Sequence, residues 1–289
     1  MIPPATNIET TSQDFHPIFS PQNQSSTSAT NVFKIDTAIG QYSRSVENSL
    51  KHAPDLSKGV GALGMLHYGR FRETSDPDEL EKAITYLGIA VGLLRHQSTQ
   101  DSQLPILLYC LGCAFQSRFY RTCDINDLDQ AIPHYEDAIK FTDEESENLV
   151  AFHSDLGSAF QARFERRGGV SDVEGAVDNH RRALQVAGDQ NQVLIPNLTS
   201  NLGISYQSRF ERLGETSDLE QAIIHLRRSV HISSSNDRCL PTRLNNLGLS
   251  LQSHFEFDNK KNFQDPSWSH SKSVNEAEDA IQTFRKAVE

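Results

Sequence analysis

One pattern is written into this chain four times and then once more in a degraded form. It begins with Leu-Gly, continues with Arg-Phe six residues on, and reaches Ala-Ile or Ala-Val nineteen residues past the glycine. The glycines are Gly64, Gly112, Gly157, Gly203 and Gly248, at spacings of 48, 45, 46 and 45 residues. Arg70-Phe71, Arg118-Phe119, Arg163-Phe164 and Arg209-Phe210 follow them, with His254-Phe255 as the degraded copy. The alanines are Ala83, Ala131, Ala176, Ala222 and, after an insertion, Ala280. A period of this length means stacked units, because one unit of that size cannot bury its own apolar face. The chain therefore reads as an elongated platform.

Each full unit is predicted to be two helices. The first carries Leu-Gly, with an apolar residue three positions after most glycines (Phe115, Phe160, Tyr206, Leu251) and His67 as the exception. That is helical spacing, and the glycine lets a neighbouring helix approach closely. Pro105, Pro196 and Pro241 sit seven residues before a glycine, where a first helical turn tolerates a missing N–H. Gly168 and Gly214 suit the left-handed residue that ends a helix. The second helix is expected to open with a capping box: Asp78, Asn126, Ser171, Ser217 or Asn275, then three residues on Glu81, Asp129, Glu174, Glu220 or Glu278. Small residues recur seven positions after each alanine, at Ala90, Ala138, Ala183, Ser229 and Ala287, and give a flat stripe for packing.

These periods divide the chain. Residues 1–32 are rich in Ser, Thr, Asn, Gln and Pro and read as a disordered tail. Ala38 lies 45 residues before Ala83, so 33–55 reads as a half repeat, the second helix of a unit without its first. Full repeats follow at 56–100, 101–145, 146–191, 192–236 and 237–289, the last with an insertion at about 256–274, which makes eleven helices and no sheet. The final helix ends on its apolar stripe with no polar cap, leaving an end that could dock on another protein.

Composition narrows the function. The chain has 27 basic and 38 acidic residues, a net charge of −11, which argues against a nucleic-acid groove. No apolar run approaches the ~20 residues of a membrane span, and the start lacks the features of a signal peptide. Four cysteines in 289 residues make no disulfide framework, so the cytoplasm is the expected compartment.

Leu-Gly, an aromatic three residues on, then Ala followed by a large residue at four (Leu87, Tyr135, His180, Leu226, Phe284) and a small one at seven, resembles the tetratricopeptide repeat. The resemblance covers about residues 34–289 and implies an all-α solenoid of antiparallel helix-turn-helix units, wound as a right-handed superhelix. Two features depart from the usual 34-residue unit: a turn read as about seven residues longer, and no closing proline. Arg209–Ile223 looks like the long repeats of fungal tetratricopeptide proteins, arrays that often precede a caspase-like CHAT domain. The resemblance implies a non-enzymatic scaffold that binds a peptide or protein segment in a concave groove. The alternative is the sensor or regulatory arm of a larger CHAT-type protease system.

In such arrays the first helices line the groove. The groove-facing candidates are Gln116, Gln161, Gln207 and Gln252, four residues after successive glycines, with Ser154, Ser200, Asn201, Asn245 and Asn246 beside them. A glutamine row could hydrogen-bond the backbone of an extended peptide; the same row could be an ordinary solvated helix face. Gly61 and Met65 stand where the family's heat-shock chaperone clamp needs Lys and Asn, which excludes that clamp. The Arg-Phe pairs read as packing of the long turn, with each arginine meeting an acid, or else as a basic ladder for an acidic ligand. Trp268, the only tryptophan, lies in the insertion, either touching a partner or covering the end of the array. Cys110 and Cys113 share a helical face, but no second pair or histidine cluster completes a zinc site. No catalytic motif, phosphate loop or cofactor signature appears.

Overall fold

The computed structural model describes residues 28–49, 53–95, 102–188 and 193–262, together with isolated positions near the end at 278, 282, 283 and 285. Ten helices run through the continuous stretches: α1 Ser28–Ser49, α2 Ala53–Thr74, α3 Pro77–Arg95, α4 Leu104–Thr122, α5 Ile125–Lys140, α6 Asn148–Arg167, α7 Val170–Ala187, α8 Ile195–Leu213, α9 Thr216–Ile232 and α10 Leu240–Asn262. No strand occurs among the described residues. Each helix packs on its neighbours in sequence, α2 with α3, α4 with α5, and so on along the array. The backbones of adjacent first helices (α2, α4, α6, α8, α10) also come close to one another, whereas among the described residues those of the second helices do not, and α3 and α5 are joined only at the periphery by the Arg95–Asp137 ion pair. That asymmetry puts the first helices on the inner side of an all-α solenoid.

Three expectations change. The opening helix starts at Ser28, inside the stretch read as a tail, and α1 packs on α2. The extra length of the repeat lies in the helices, not in the turn. Only residues 75–76, 123–124, 168–169 and 214–215 separate the helices of a unit, and every Arg-Phe is helical. Nothing in Arg-Phe-x-Arg breaks a helix, so the first helix runs on until a left-handed residue stops it. That residue is Ser75 (φ 57°), Cys123 (58°), Gly168 (67°) or Gly214 (76°), at one register position of each unit. The third change concerns the capping boxes. The second helices begin one residue before the expected caps, and the observed caps lie two before them: Asp124 is the cap of α5 and accepts from Asn126 N–H, while Gly169 and Glu215 cap α7 and α9 without a side-chain bond. The expected eleventh helix, Trp268 and the uncapped end fall largely or wholly outside the described residues.

Candidate functional site

The glycines and the large residues four after the alanines turn out to be one device. A Cβ added to Gly64 would meet Leu87 at 2.6 Å, one on Gly112 would meet Tyr135 at 2.8 Å, one on Gly157 His180 at 2.6 Å and one on Gly203 Leu226 at 2.7 Å. Each first helix is thus notched to take a side chain from its partner helix, and any side chain at the glycine overpacks the seam. The position three after the glycine pairs with the one three after the alanine. Phe115 stacks on His134 and Tyr206 on His225; in the first unit the roles exchange, with His67 stacked on Tyr86. The apparent exception at His67 is therefore compensated on the other helix.

The arginines are committed. Arg118, Arg163 and Arg209 reach Asp127, Asp172 and Asp218 of their own units at 2.7, 2.7 and 2.6 Å. These aspartates are buried, and the bonds to them hold the guanidinium pKa values above the usual range. The acids expected to close capping boxes serve the next unit instead: Glu81 binds Arg118 at 2.9 Å and Asp129 binds Arg163 at 3.0 Å. Asp36 of α1, at the equivalent position, binds Arg70 at 2.8 Å. Arg118, Arg163 and Arg209 also each lie over the ring three residues before them, 5.3 Å from Phe115, 5.6 Å from Phe160 and 5.4 Å from Tyr206. An arginine already bonded to protein carboxylates is a staple between units rather than a ladder for an acidic ligand. The recurring acid at Glu79, Asp127, Asp172 and Asp218 was visible in the sequence and is the signal that the capping-box reading displaced.

The glutamine row is likewise tied inward, and unevenly. Gln161 donates from Nε2 to Glu165 at 3.0 Å and to Ser208 of the next unit at 2.8 Å. Gln207 repeats this with Glu211 at 2.9 Å and Ser253 at 3.2 Å. Gln252 is exposed and bonds Glu256 at 2.9 Å. Gln116 differs because its two partners are missing: Tyr120 stands where later units have Glu, and Ala162 where they have Ser. It turns inward, accepts from Tyr135 O–H at 2.6 Å and donates to Tyr120 at 3.2 Å, and is only 4 % exposed. Ser154, Ser200 and Asn201 are also buried, since they sit on the side of the first helix that meets its neighbours, so they are unavailable to a ligand in this conformation. Asn245 and Asn246 are half-buried. Two atoms in this region have no partner: Gln207 Oε1 and Ser250 Oγ, the register equivalents of Gln161 Oε1 and Ser205 Oγ, which lie 3.4 Å apart.

The cysteines and histidines are packing groups. Burial pushes the Cys110 thiol up to about 12 and raises Cys113, so neither is an activated nucleophile. His153 bonds Asn179, and burial brings His180 down to about 4. No group of three or more His, Cys, Asp or Glu able to hold a metal ion occurs among the described residues. Among them, too, no helix is long and apolar enough to cross a membrane.

The fold is a tetratricopeptide-like α-solenoid. Among solved structures the chain is similar to BtubC (BKLC) from P. vanneervenii, with a TM-score of 0.57 and 20% identity over 88% of this chain and 89% of that one. It is also similar to a putative kinesin light chain of Podosopora anserina with nearly identical TPR-like repeats, at a TM-score of 0.54 and 13% identity over 83% of this chain and 97% of that one. At these identities the likeness establishes the fold. No protein-family model and no curated protein sequence matches the chain.

Proposed function

We propose that the array is a non-enzymatic protein-interaction scaffold whose inner face, from α6 to α10, receives an extended segment of a partner protein. The observation that carries this reading is the row Glu165, Glu211 and Glu256, exposed carboxylates one unit apart, each held in place by a glutamine on the same helix face. Gln252, Asn245 and Asn246 continue the accessible polar surface on α10. Packed helices stand about 10 Å apart, and an extended chain rises ~3.3 Å per residue. A segment crossing this face would thus offer a donor at every third residue. Carboxylate acceptors favour Lys, Arg or amide donors there, in keeping with the acidic charge of the chain.

A partner captured on the intact chain would be titrated against the triple variant Glu165→Gln, Glu211→Gln, Glu256→Gln at low and high salt. Binding should weaken about tenfold or more in the variant and should fall as salt rises. Unchanged affinity in the triple variant would remove this face from consideration.

A further inference from the structure

The helix that opens the array shows a face that α3, α5, α7 and α9 hide. Counted from Ala38, α1 repeats their register. Tyr42 stands where Leu87, Tyr135, His180 and Leu226 do, and Ile35 where Leu80, Leu128, Val173 and Leu219 do. Asp36 stands where Glu81 and Asp129 reach the arginine of the next unit, and it reaches Arg70 in the same way. In the four later helices those large side chains are at most 2 % exposed, and the alanine is fully buried. In α1, Tyr42 is 43 % exposed, and Ile35 and Ala38 are half-buried. Among the described residues the backbone of α1 comes close to α2 and to no other helix. Phe33, 72 % exposed, takes the place of Asp78, Asn126, Ser171 and Ser217 and widens the apolar face. Contiguous exposed apolar side chains at positions that are otherwise buried mark a surface that another element covers.

We propose that α1 docks a helix of a partner protein, which takes the place of a first helix and completes a unit at this end of the array. Register specifies that helix. In each later unit a glycine nineteen residues before the alanine seats the large side chain, and Tyr135 against Gly112 shows that a tyrosine fits such a seat. The partner helix therefore carries a glycine over Tyr42. Six residues past the glycine the later units carry Arg70, Arg118, Arg163 and Arg209, set against the acids Glu79, Asp127, Asp172 and Asp218. In α1 the position of those acids holds Lys34, which is exposed, so the sign is reversed. The partner helix carries Asp or Glu where this chain's own first helices carry Arg. That charge also selects the occupant. A second copy of the chain would bring an arginine, or His254, toward Lys34, and its Gly64, Gly112, Gly157 and Gly203 are already filled by their own neighbours. Residues 1–27 contain no glycine; Phe19 stands at the glycine register, between Pro17 and Pro21, a sequence unsuited to the middle of a helix. The site is separate from the inner face and does not depend on what that face binds.

A synthetic peptide of the α8 sequence, residues 195–213, carrying Arg209→Glu has the glycine and the acid at the required spacing. Its binding to the full chain is measured by the fluorescence anisotropy of an attached dye. Two further peptides serve as controls: one keeps Arg209, and the other carries both Arg209→Glu and Gly203→Leu. The acidic peptide should bind saturably. The arginine peptide should bind about fivefold more weakly, because its contact with Lys34 changes sign. The leucine peptide should bind about tenfold or more weakly, because the added side chain overpacks the seat. Lys34→Glu in the full chain, a change at an exposed residue, should reverse the order of the acidic and arginine peptides, and Tyr42→Ala should weaken both. No saturable binding of the acidic peptide, an order that Lys34→Glu leaves unreversed, or equal binding of the leucine peptide would overturn the proposal. Self-association of the chain that Tyr42→Ala abolishes would overturn it too, since the occupant would then be a second copy.

Discussion

The two halves of this array share one backbone plan and fill it differently. Between Val60 and Ala162 most of the buried apolar side chains form a single cluster through α2–α6 that includes Leu107, Leu108, Tyr135 and Phe152. Beyond it the apolar interior divides into three small clusters, one of them joining Val150 to Ala183 and Leu198, a second around Leu202 and Ala222, and a third around Leu219 and Leu251. Thr199, Ser200, Asn201, Ser205, Ser208, Ser229 and Ser250 lie buried between them. The boundary falls at His180, the polar one among the four side chains that seat against the recurring glycines. It is fully enclosed and bonded to Ser205 Oγ at 2.8 Å. A repeat fixes which positions meet, but not what chemistry they bring. The half with the polar interior also carries the glutamine–glutamate row.

The largest expected effect lies in the continuous core. Phe152→Ala should cost ~3–5 kcal/mol in a denaturation experiment, because the cavity opens where the side chain also stacks on Tyr109. A loss below that of an exposed substitution would show that the first half is no better packed than the second.

The boundary residue should titrate with folding. Burial lowers the folded pKa of His180 from 6.5 to about 4, so the folded state releases a proton that the unfolded chain keeps. Its contribution is fully present above pH 6.5 and is lost as pH falls toward 4, by about 3 kcal/mol in all. Leu occupies the same slot in two other units, so His180→Leu fits the space, and its stability should decline less between pH 7 and 4.5 than that of the native chain. Parallel pH profiles would place the acid sensitivity elsewhere.

The staples between units come next. Arg163→Met leaves Asp172 buried without its cation and Asp129 of the preceding unit to Arg167 alone, and should cost ~1–3 kcal/mol. A neutral result would mean that the staples only decorate the seam. The smallest effect concerns the left-handed residues. Cys123→Gly should stabilise by ~0.5–1 kcal/mol, and Gly168→Ala should destabilise by ~1 kcal/mol, since both positions have positive φ. Changes of the opposite sign would mean that the αL conformation is not what stops these helices.

The periodic part of this organisation was legible in the sequence. Period, helix pairing, the notching glycines and the small-residue stripe all follow from side-chain size at fixed spacing, and size is what packing reads. What the sequence left obscure was the choice among polar partners. Asp, Ser and Glu near a helix start suit a cap as well as an arginine of the next unit, and only the fold brings Glu81 to Arg118 and Asp129 to Arg163. Gln116 reads in the sequence like the other glutamines, because the two residues that turn it inward, Tyr120 and Ala162, lie on the same helix and on the next unit's first helix.

Amide hydrogen exchange measured residue by residue on the full chain tests the contrast between the halves most directly. The second and fourth units, α4–α5 and α8–α9, each have neighbours on both sides, so unequal fraying of chain ends does not bias the comparison. Amides of α4 and α5 should exchange only through the largest openings of the molecule, while those of α8 and α9 should open at a free energy lower by ~1–2 kcal/mol, as a cooperative segment beginning near His180. Equal protection in the two units, or greater protection in α8 and α9, would contradict the claim that one repeat plan has been filled with a firm half and a looser one.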